Sequence, residues 1–332
     1  MTGTAPVSPA PVKSTVGIEP QRRWLIAATL FLVAARVVLY VFNPDYANDF
    51  DQLYYAAQNL VAGENPYPIA RKWFHFPLYY PLPTVLFTVP FAAIPLLHAR
   101  IIFDMCVGGV FAYALWRYRG PHSLLALVSG AFLFAMRNGQ VTPLIVAACL
   151  IPRLGFLLVV KPNMGLALWL TRPNRQAVVG GAVVLLLSLL VLPTWPLDWI
   201  HNVRSQGQHL QPPLMRPFGF LLLLAALRWR TLEGRLILFL SVVPQNSLPH
   251  ELVPLALIPA SALHMGIYVV GTWITVAVAA DIFQQQLGYL ITVDRLWPAL
   301  LCAGYLPMLY LVLRSPAHVE ALKSRANGSG SI

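Results

Sequence analysis

Carboxylates are scarce in this chain, and a third of them gather in one short segment. The sequence has 12 Asp and Glu residues among 332, and Asp45, Asp49, Asp51 and Glu64 lie close together. A carboxylate held beside an apolar surface can act as a general base that takes a proton from a hydroxyl group. This segment is therefore the strongest candidate for chemistry, and Asp49 is its leading residue.

Asp49 also has an ordinary structural explanation. Asp49 and Gln52 form a capping-box-like pair, and Asp51 would complement the helix dipole from the first turn. On the residues alone, a helix cap and a catalytic base both remain open, and one side chain can serve as both. A run of apolar residues at three- and four-residue spacing predicts that this helix is amphipathic, lies on the membrane surface and ends at Gly63: Phe50, Leu53, Tyr54, Ala57, Leu60 and Val61.

The composition predicts a membrane protein around this segment. Hydrophobic residues make up 58% of the chain, charged residues make up 11%, and the mean hydropathy is +0.65. A soluble domain needs a more polar exterior. Uncharged runs such as 252–280 are long enough to cross a hydrocarbon core of ~30 Å. We predict an all-α polytopic membrane protein with about 10–12 transmembrane helices, several of them interrupted by Pro or Gly.

Three regions follow from the distribution of polar residues. Residues 1–21 are rich in Pro, Thr and Ser and are expected to form a disordered cytoplasmic tail. Residues 22–314 form the membrane-embedded domain, in which 43–80 is the first extracytoplasmic loop. Residues 315–332 are expected to form a second cytoplasmic tail.

Basic residues predict how the chain is oriented in the cytoplasmic membrane. Their positions near the ends of the apolar runs place both termini in the cytoplasm and the first loop outside. In this count Arg117 and Arg119 fall on the side opposite to Arg172. Two explanations stay open: these two arginines bind a lipid phosphate there, or a short element before residue 176 is not a crossing.

The excess of positive charge does not indicate a nucleic-acid partner. The formal net charge is +11, but the basic residues are dispersed at the ends of apolar runs, where they suit anionic lipid headgroups. Cys106, Cys149 and Cys302 lie in apolar runs without the spacing of metal ligands. We therefore predict membrane lipids as partners, no nucleic acid, no metal and no cofactor.

Three further residues could take part in chemistry or could be structural. Lys161, followed by Pro162, interrupts an apolar stretch and is either a lysine that reaches an interface or a functional cation. His250 is either a polar loop residue or a functional one. Gln140 follows a tight turn at Asn138 and Gly139 and stays open between a span boundary and a ligand contact.

The order of several short motifs resembles a known family. The run Asp49-Phe50, Tyr54-Tyr55-x-Ala57 and Leu60-x-x-Gly63-x-Asn65-Pro66-Tyr67 resembles the first outer loop of the GT-C membrane glycosyltransferases. More narrowly, it resembles bacterial polyprenyl-phosphate-mannose-dependent mannosyltransferases related to the phosphatidylinositol mannoside enzymes. Further matches occur in order and extend the resemblance over roughly 22–313: Tyr80-Pro81-Leu82, Gly139-Gln140, Lys161-Pro162 and His250.

The resemblance implies a GT-C-like helix bundle and an enzymatic activity. A hexose, mannose in the first place, would pass with inversion from a polyprenyl-phosphate donor to a lipid or lipoglycan acceptor of the cell envelope. Asp49 would be the general base, with Asp51 as its neighbour or a weaker second candidate. The substrate-binding residues would supply cations or hydrogen-bond donors to the leaving phosphate without a metal: Lys161, His250, Gln140 and Tyr80.

Three alternatives accompany this hypothesis. An arabinofuranosyltransferase belongs to the same class. A membrane transporter or lipid flippase would explain the charges within apolar runs, namely Arg36, Asp104, Lys161 and Asp281. An inactive family member is the third, because the segment between Gln140 and Lys161 is short and Leu248-Pro249 replace the usual aromatic residue before His250.

Overall fold

The computed structural model describes residues 48–68, 77–205, 210–285 and 289–314. These residues are mostly helical. Short 3₁₀ segments alternate with the α-helices, and the longest of them are Pro121–Val128, Pro152–Val160, Gly219–Arg228 and Pro249–Leu257. The α-helices in chain order are α1 (Asp49–Val61), α2 (Leu82–Thr88), α3 (Leu96–Arg119), α4 (Gly130–Arg137), α5 (Thr142–Leu150), α6 (Pro162–Thr171), α7 (Arg175–Val191), α8 (Trp195–Ser205), α9 (Leu232–Val242), α10 (Ala262–Gln284), α11 (Tyr289–Ala299) and α12 (Leu306–Arg314).

Three helical segments are long and apolar enough to cross a membrane: α3, α10 and the segment Thr292–Arg314, in which a π-helical turn joins α11 to α12. Two sharply bent pairs, α4–α5 at 119° and α7–α8 at 97°, raise the number to five if each is one span. This part of the chain is therefore all-α with three to five candidate spans, as in a membrane protein. The predicted first span at 24–42 and both predicted tails lie outside the described residues.

Among the described residues, fewer helices are long enough to span a membrane than the sequence predicts, because several apolar runs wind as 3₁₀ helix. Pro121–Val128, Pro152–Val160 and Pro249–Leu257 each begin with proline and have eight or nine residues. At about 2.0 Å per residue, such a segment covers less than two thirds of a ~30 Å core. Each of these segments alone is therefore too short to cross the membrane.

The N-terminus of α1 is capped differently from the prediction. Asn48 is the N-cap: its side-chain oxygen accepts a hydrogen bond from Asp51 N at 3.1 Å, and its own N–H donates to Asp51 Oδ2 at 3.0 Å. Asp49 is the first helical residue, and Gln52 Nε2 donates to the carbonyl of Pro77 at 3.1 Å. The predicted Asp49–Gln52 cap is wrong, because the side chains of Asn48 and Asp51 each accept the other residue's backbone N–H and so form the capping box.

The predicted amphipathic helix is present, but its apolar face is covered by protein. The helix ends at Val61, and Gly63 follows with φ of +79°. The Phe50 ring centroid lies 4.4 Å from that of Phe103 on α3 and 5.8 Å from that of Phe91. The apolar face that was expected to contact the membrane therefore contacts protein, since the spacing shows which face is buried but not what buries it.

A buried ion pair fixes α1 against α3. Arg100 Nε donates to Asp51 Oδ1 at 2.6 Å, and the Arg100 guanidinium also bonds Asp51 Oδ2. Asp51 is 2% exposed. Such a fork-shaped contact fixes both distance and orientation, so the position of the whole first turn of α1 depends on it.

Arg117 and Arg119 lie on the same side as Arg172. The guanidinium carbons of Arg117 and Arg172 lie 5.7 Å and 6.0 Å from the centroid of the Tyr118 ring. Arg119 lies 3.5 Å from Glu233 at the start of α9. The orientation count that separated Arg117 and Arg119 from Arg172 is therefore wrong. The finding favours the explanation that a short element between them is not a crossing.

Loss of the Asp51–Arg100 pair should destabilise the protein. Asp51→Asn keeps the side-chain size but removes the charge, and we expect the free energy of unfolding to fall by about 3–5 kcal/mol. Thermal unfolding of the purified chain in detergent measures the change. Replacing both partners by leucine should restore part of the loss, because no buried charge is then left.

The half-exposed pair Arg119–Glu233 is the matched control. Its partners are 21% and 29% exposed, and an ion pair in contact with solvent contributes less than about 1 kcal/mol. We expect Glu233→Gln to leave the unfolding temperature nearly unchanged. Equal small losses in both single variants would contradict an anchoring role for Asp51.

Candidate functional site

The candidate site begins where α1 meets the turn between α4 and α5. The Asp49 N–H donates to the carbonyl of Asn138 at 3.1 Å. Gly139 has φ of +60°, and a Cβ atom there would lie 2.6 Å from Phe50 Cβ and 2.9 Å from Phe50 N. Glycine is therefore required by both backbone conformation and space. This close approach places Gln140, the next residue, beside the first turn of α1.

One oxygen of the Asp49 carboxylate is held, and the other has no bond to the described part of the chain. Asp49 is half-buried, and its Oδ2 accepts a hydrogen bond from the Tyr80 hydroxyl at 2.9 Å and another from Gln140 Nε2. Among the described residues no donor bonds Oδ1. The side chain is thus oriented by two neutral donors while one oxygen is left to accept a proton.

Tyr80 remains a donor because its hydroxyl resists ionisation. Burial, and then the charge of Asp49, raise the pKa of Tyr80 well above its ordinary value near 10. A phenol that stays protonated can only donate its single hydrogen to one acceptor. The shorter contact is to Asp49 at 2.9 Å, compared with 3.4 Å to Gln140 Oε1, so Tyr80 holds the carboxylate.

Gln140 connects Asp49 to a buried lysine. Its Nε2 donates to Asp49, and its Oε1 lies 3.4 Å from Lys161 Nζ. Lys161 lies at the break between the 3₁₀ segment Pro152–Val160 and α6, as the sequence predicts for this Lys-Pro step. Its ammonium also donates to Thr142 Oγ1 at 2.8 Å and to Glu251 Oε1 at 3.1 Å. The short segment between Gln140 and Lys161 therefore folds back on itself and brings its two ends together.

Glu251 and His250 complete the set of contacts. His250 Nε2 lies 3.4 Å from Glu251 Oε1, and the His250 ring stacks on Phe134 with 6.0 Å between centroids. Glu251 is buried, and the Lys161 ammonium lies 3.1 Å from its Oε1. Glu251 is therefore a carboxylate that compensates the buried charge of Lys161.

These contacts form a continuous network that we call the polar chain: Asp49, Gln140, Lys161, Glu251 and His250, with Tyr80 and Thr142 bonded to it. It unites every site residue predicted from the sequence except Asp51. Both Asp51 oxygens are bonded to Arg100, which gives this carboxylate a structural role. Sequence reasoning did not single out Glu251 or Thr142. For Glu251, two signals were available in the sequence: the scarcity of acids and its position beside His250.

Helix α8 covers the side of the site next to Tyr80. Trp199 Nε1 donates to the carbonyl of Tyr79 at 2.7 Å, and Asn202 Nδ2 donates to the carbonyl of Leu78 at 3.3 Å. His201 and Arg204 are exposed on the same helix. Arg204 therefore supplies a cation on the helix that lies against the segment carrying Tyr80.

The other titratable residues are distributed over the fold. Within the described ranges no group of three or more His, Cys, Asp or Glu residues is placed to hold a metal ion. Of the charges that suggested a transporter, Asp104 is buried in α3, Lys161 belongs to the polar chain and Asp281 is exposed near the end of α10. Arg36 lies outside the described residues.

The turn at Gly139 offers a test of how the site is positioned. Gly139→Ala forces a left-handed backbone onto an L-residue, which costs about 1–2 kcal/mol, and its methyl group would displace the first turn of α1. We expect a lower unfolding temperature in detergent. Gly109→Ala on α3 is the control, because a Cβ there meets nothing within 4 Å and alanine favours helix. Equal unfolding temperatures for the two variants would show that α1 does not depend on this close approach.

Comparison with known proteins adds no further identification of the site. The chain matches no protein-family model, no curated protein and no solved structure. The roles of Asp49 and the polar chain therefore rest on the contacts above and on the resemblance of the sequence motifs.

Proposed function

We propose that the chain is a membrane glycosyltransferase that moves a hexose, mannose in the first place, from a polyprenyl-phosphate carrier to a lipid or glycan acceptor. The observation that supports this most is the Asp49 carboxylate, which Tyr80 and Gln140 hold through Oδ2 and which has no hydrogen bond at Oδ1 from any described residue. A general base needs this combination of fixed orientation and an available lone pair. The motif resemblance supplies the sugar, the carrier and the acceptor class.

In the proposed reaction the acceptor hydroxyl gives its proton to Asp49 Oδ1. Its oxygen then forms a bond to the anomeric carbon from the face opposite the carrier. The bond from that carbon to the phosphate oxygen breaks, and the electron pair leaves with the phosphate. This displacement inverts the anomeric centre.

The polar chain has a supporting role in this proposal. Lys161 donates to Gln140 Oε1, which orients the amide so that Nε2 faces Asp49. Glu251 and His250 keep that lysine in place. The departing phosphate needs a cation, and Arg204 on α8, the helix that bonds the segment carrying Tyr80, is the candidate to supply it.

A transporter or flippase is the second candidate. The buried Lys161–Glu251 pair favours it, because ionisable residues within a helix bundle often mark a path for ions or substrates. Such a protein would move a lipid or solute without forming a new glycosidic bond. Product formation from a labelled donor therefore separates the two candidates.

Replacement of Asp49 tests the proposed base. Membranes containing the chain would be incubated with radiolabelled polyprenyl-phosphate-mannose and a membrane lipid extract. We expect Asp49→Asn to reduce glycolipid formation by about 10²–10⁴-fold, as loss of a general base does, at an unchanged protein level. Asp281→Asn is the control, because Asp281 is exposed and bonds only Gln285 among the described residues.

The outcomes separate the candidates. Full transfer by Asp49→Asn would leave Asp49 as a structural residue. Absence of transfer by the wild type with mannosyl and arabinosyl donors, with acceptor present, would contradict the enzymatic proposal and favour transport or an inactive protein.

A further inference from the structure

The loop that leads into the 3₁₀ segment Gly219–Arg228 has its charged and apolar residues in reversed positions. Residues 212–220, which we call the apolar loop, contain one charged side chain, that of Arg216, and this residue is 5% exposed. Met215, Phe218 and Phe220 are 76%, 67% and 58% exposed. A loop in water keeps its charges outside and its large apolar side chains inside. The reversal indicates that the apolar loop has apolar surroundings.

The backbone of the apolar loop holds these side chains in place. The Gly219 N–H donates to the carbonyl of Arg216 at 2.9 Å, and a Cβ atom at Gly219 would lie 1.8 Å from the carbonyl oxygen of Pro213. Phe218 has φ of +59°, which is strained for a bulky residue. A strained residue whose ring nevertheless lies outside favours a partner for that ring outside the chain.

The inner side of the apolar loop is fastened to the start of the last candidate span. Arg216 Nη1 lies 3.0 Å from Asp294 Oδ1, and its guanidinium carbon lies 5.9 Å from the centroid of the Trp297 ring. Trp297 Nε1 donates to the carbonyl of Pro217 at 2.8 Å. The 23 residues of Thr292–Arg314 extend about 35 Å, slightly more than a ~30 Å core. The loop therefore lies near the level at which this span leaves the hydrocarbon core.

The outer side of the apolar loop continues into an apolar stripe. Exposed residues recur every three or four positions along Gly219–Arg228, and in a 3₁₀ helix this spacing forms one face: Phe220, Leu223, Leu224 and Leu227. No charged residue occurs between Gly219 and Leu227. An exposed apolar surface of this extent marks contact with a membrane or with another protein.

We propose that the apolar loop inserts Met215, Phe218 and Phe220 among lipid acyl chains, just inside the headgroups. Aromatic residues are enriched at this boundary. Contacts between proteins within a membrane favour small residues, whereas the exposed face here consists of Met, Phe and Leu, so lipid fits better than a second protein. Arg216 stays inside, and its partner Asp294, which is 74% exposed, lies on the polar side of the boundary.

This insertion would set the depth of part of the polar chain. The Gln245 N–H donates at 3.2 Å to the carbonyl of Gln211, the residue before the apolar loop. The connection that begins at Gln245 leads to His250 and Glu251. The loop therefore keeps this connection near the boundary between acyl chains and headgroups, and it does so without catalysis. Entry of a lipid-linked substrate at the same depth rests on the proposed function.

Site-directed spin labelling tests the insertion. In the full chain, Cys106→Ser and Cys302→Ser remove the two exposed thiols, and Met215→Cys or Phe220→Cys then carries the label in lipid nanodiscs. Electron paramagnetic resonance compares collisions of the label with oxygen, which concentrates in lipid, and with a water-soluble nickel chelate. We expect high oxygen and low nickel accessibility at both positions, as at Leu224→Cys, the lipid-facing reference.

Arg295→Cys is the polar reference, because Arg295 is exposed and follows Asp294 at the start of the same span. We expect its label to be accessible to nickel. Asp49→Asn should leave all of these values unchanged even if it transfers no sugar, so a failure of the proposed catalysis and a failure of the insertion are distinguishable.

Three results would overturn the inference. Nickel accessibility at Met215→Cys and Phe220→Cys equal to that at Arg295→Cys would place the apolar loop in water. Low accessibility to both reagents would show that protein covers it. Lipid-like values at Arg295→Cys as well would place the loop within the core and not at its boundary.

Discussion

Charges buried in an apolar bundle must be compensated, and in this chain the partners come from distant parts of the sequence. Asp51 is paired with Arg100, and Lys161 is paired with Glu251. Removing one member of such a pair costs several kcal/mol, because the other charge is left in a medium of low polarity. The helices can therefore meet only in registers that keep both pairs together. Arg216 at the last spanning segment differs, because its partner Asp294 is 74% exposed and only the arginine is buried.

This constraint explains how broken helices build a site. The turn at Gly139, the break at Lys161 and the start of Pro249–Leu257 are all ends of short segments. Irregular backbone at membrane depth is tolerated where protein surrounds it, and here the three ends meet and bond one another. The Asp51–Arg100 pair then brings the first turn of α1 onto this junction, with Asp49 at its edge.

The sequence predicted α1, its end near Gly63, the break at Lys161 and the all-α character, because each has a local signal in periodicity, glycine, proline or composition. It did not predict that protein would cover the apolar face of α1, since spacing does not identify the covering surface. It assigned the cap to Asp49 and Gln52. Asn48 and Asp51 carry an equally valid signal one residue earlier, and local sequence alone does not choose between the two pairs. The compensation of Lys161 by Glu251 depends on contacts between residues 90 positions apart, which no local pattern contains.

The central claim is that Asp49 Oδ1, which accepts no hydrogen bond from the described residues, faces the reacting sugar. The most direct measurement is a cryo-EM structure of the full chain in nanodiscs with a phosphonate analogue of polyprenyl-phosphate-mannose, in which carbon replaces the scissile oxygen. We expect the mannose on the Oδ1 side of Asp49, with Tyr80 and Gln140 still bonded to Oδ2. An analogue bound away from Asp49, or an Oδ1 atom covered by protein in that complex, would contradict the claim.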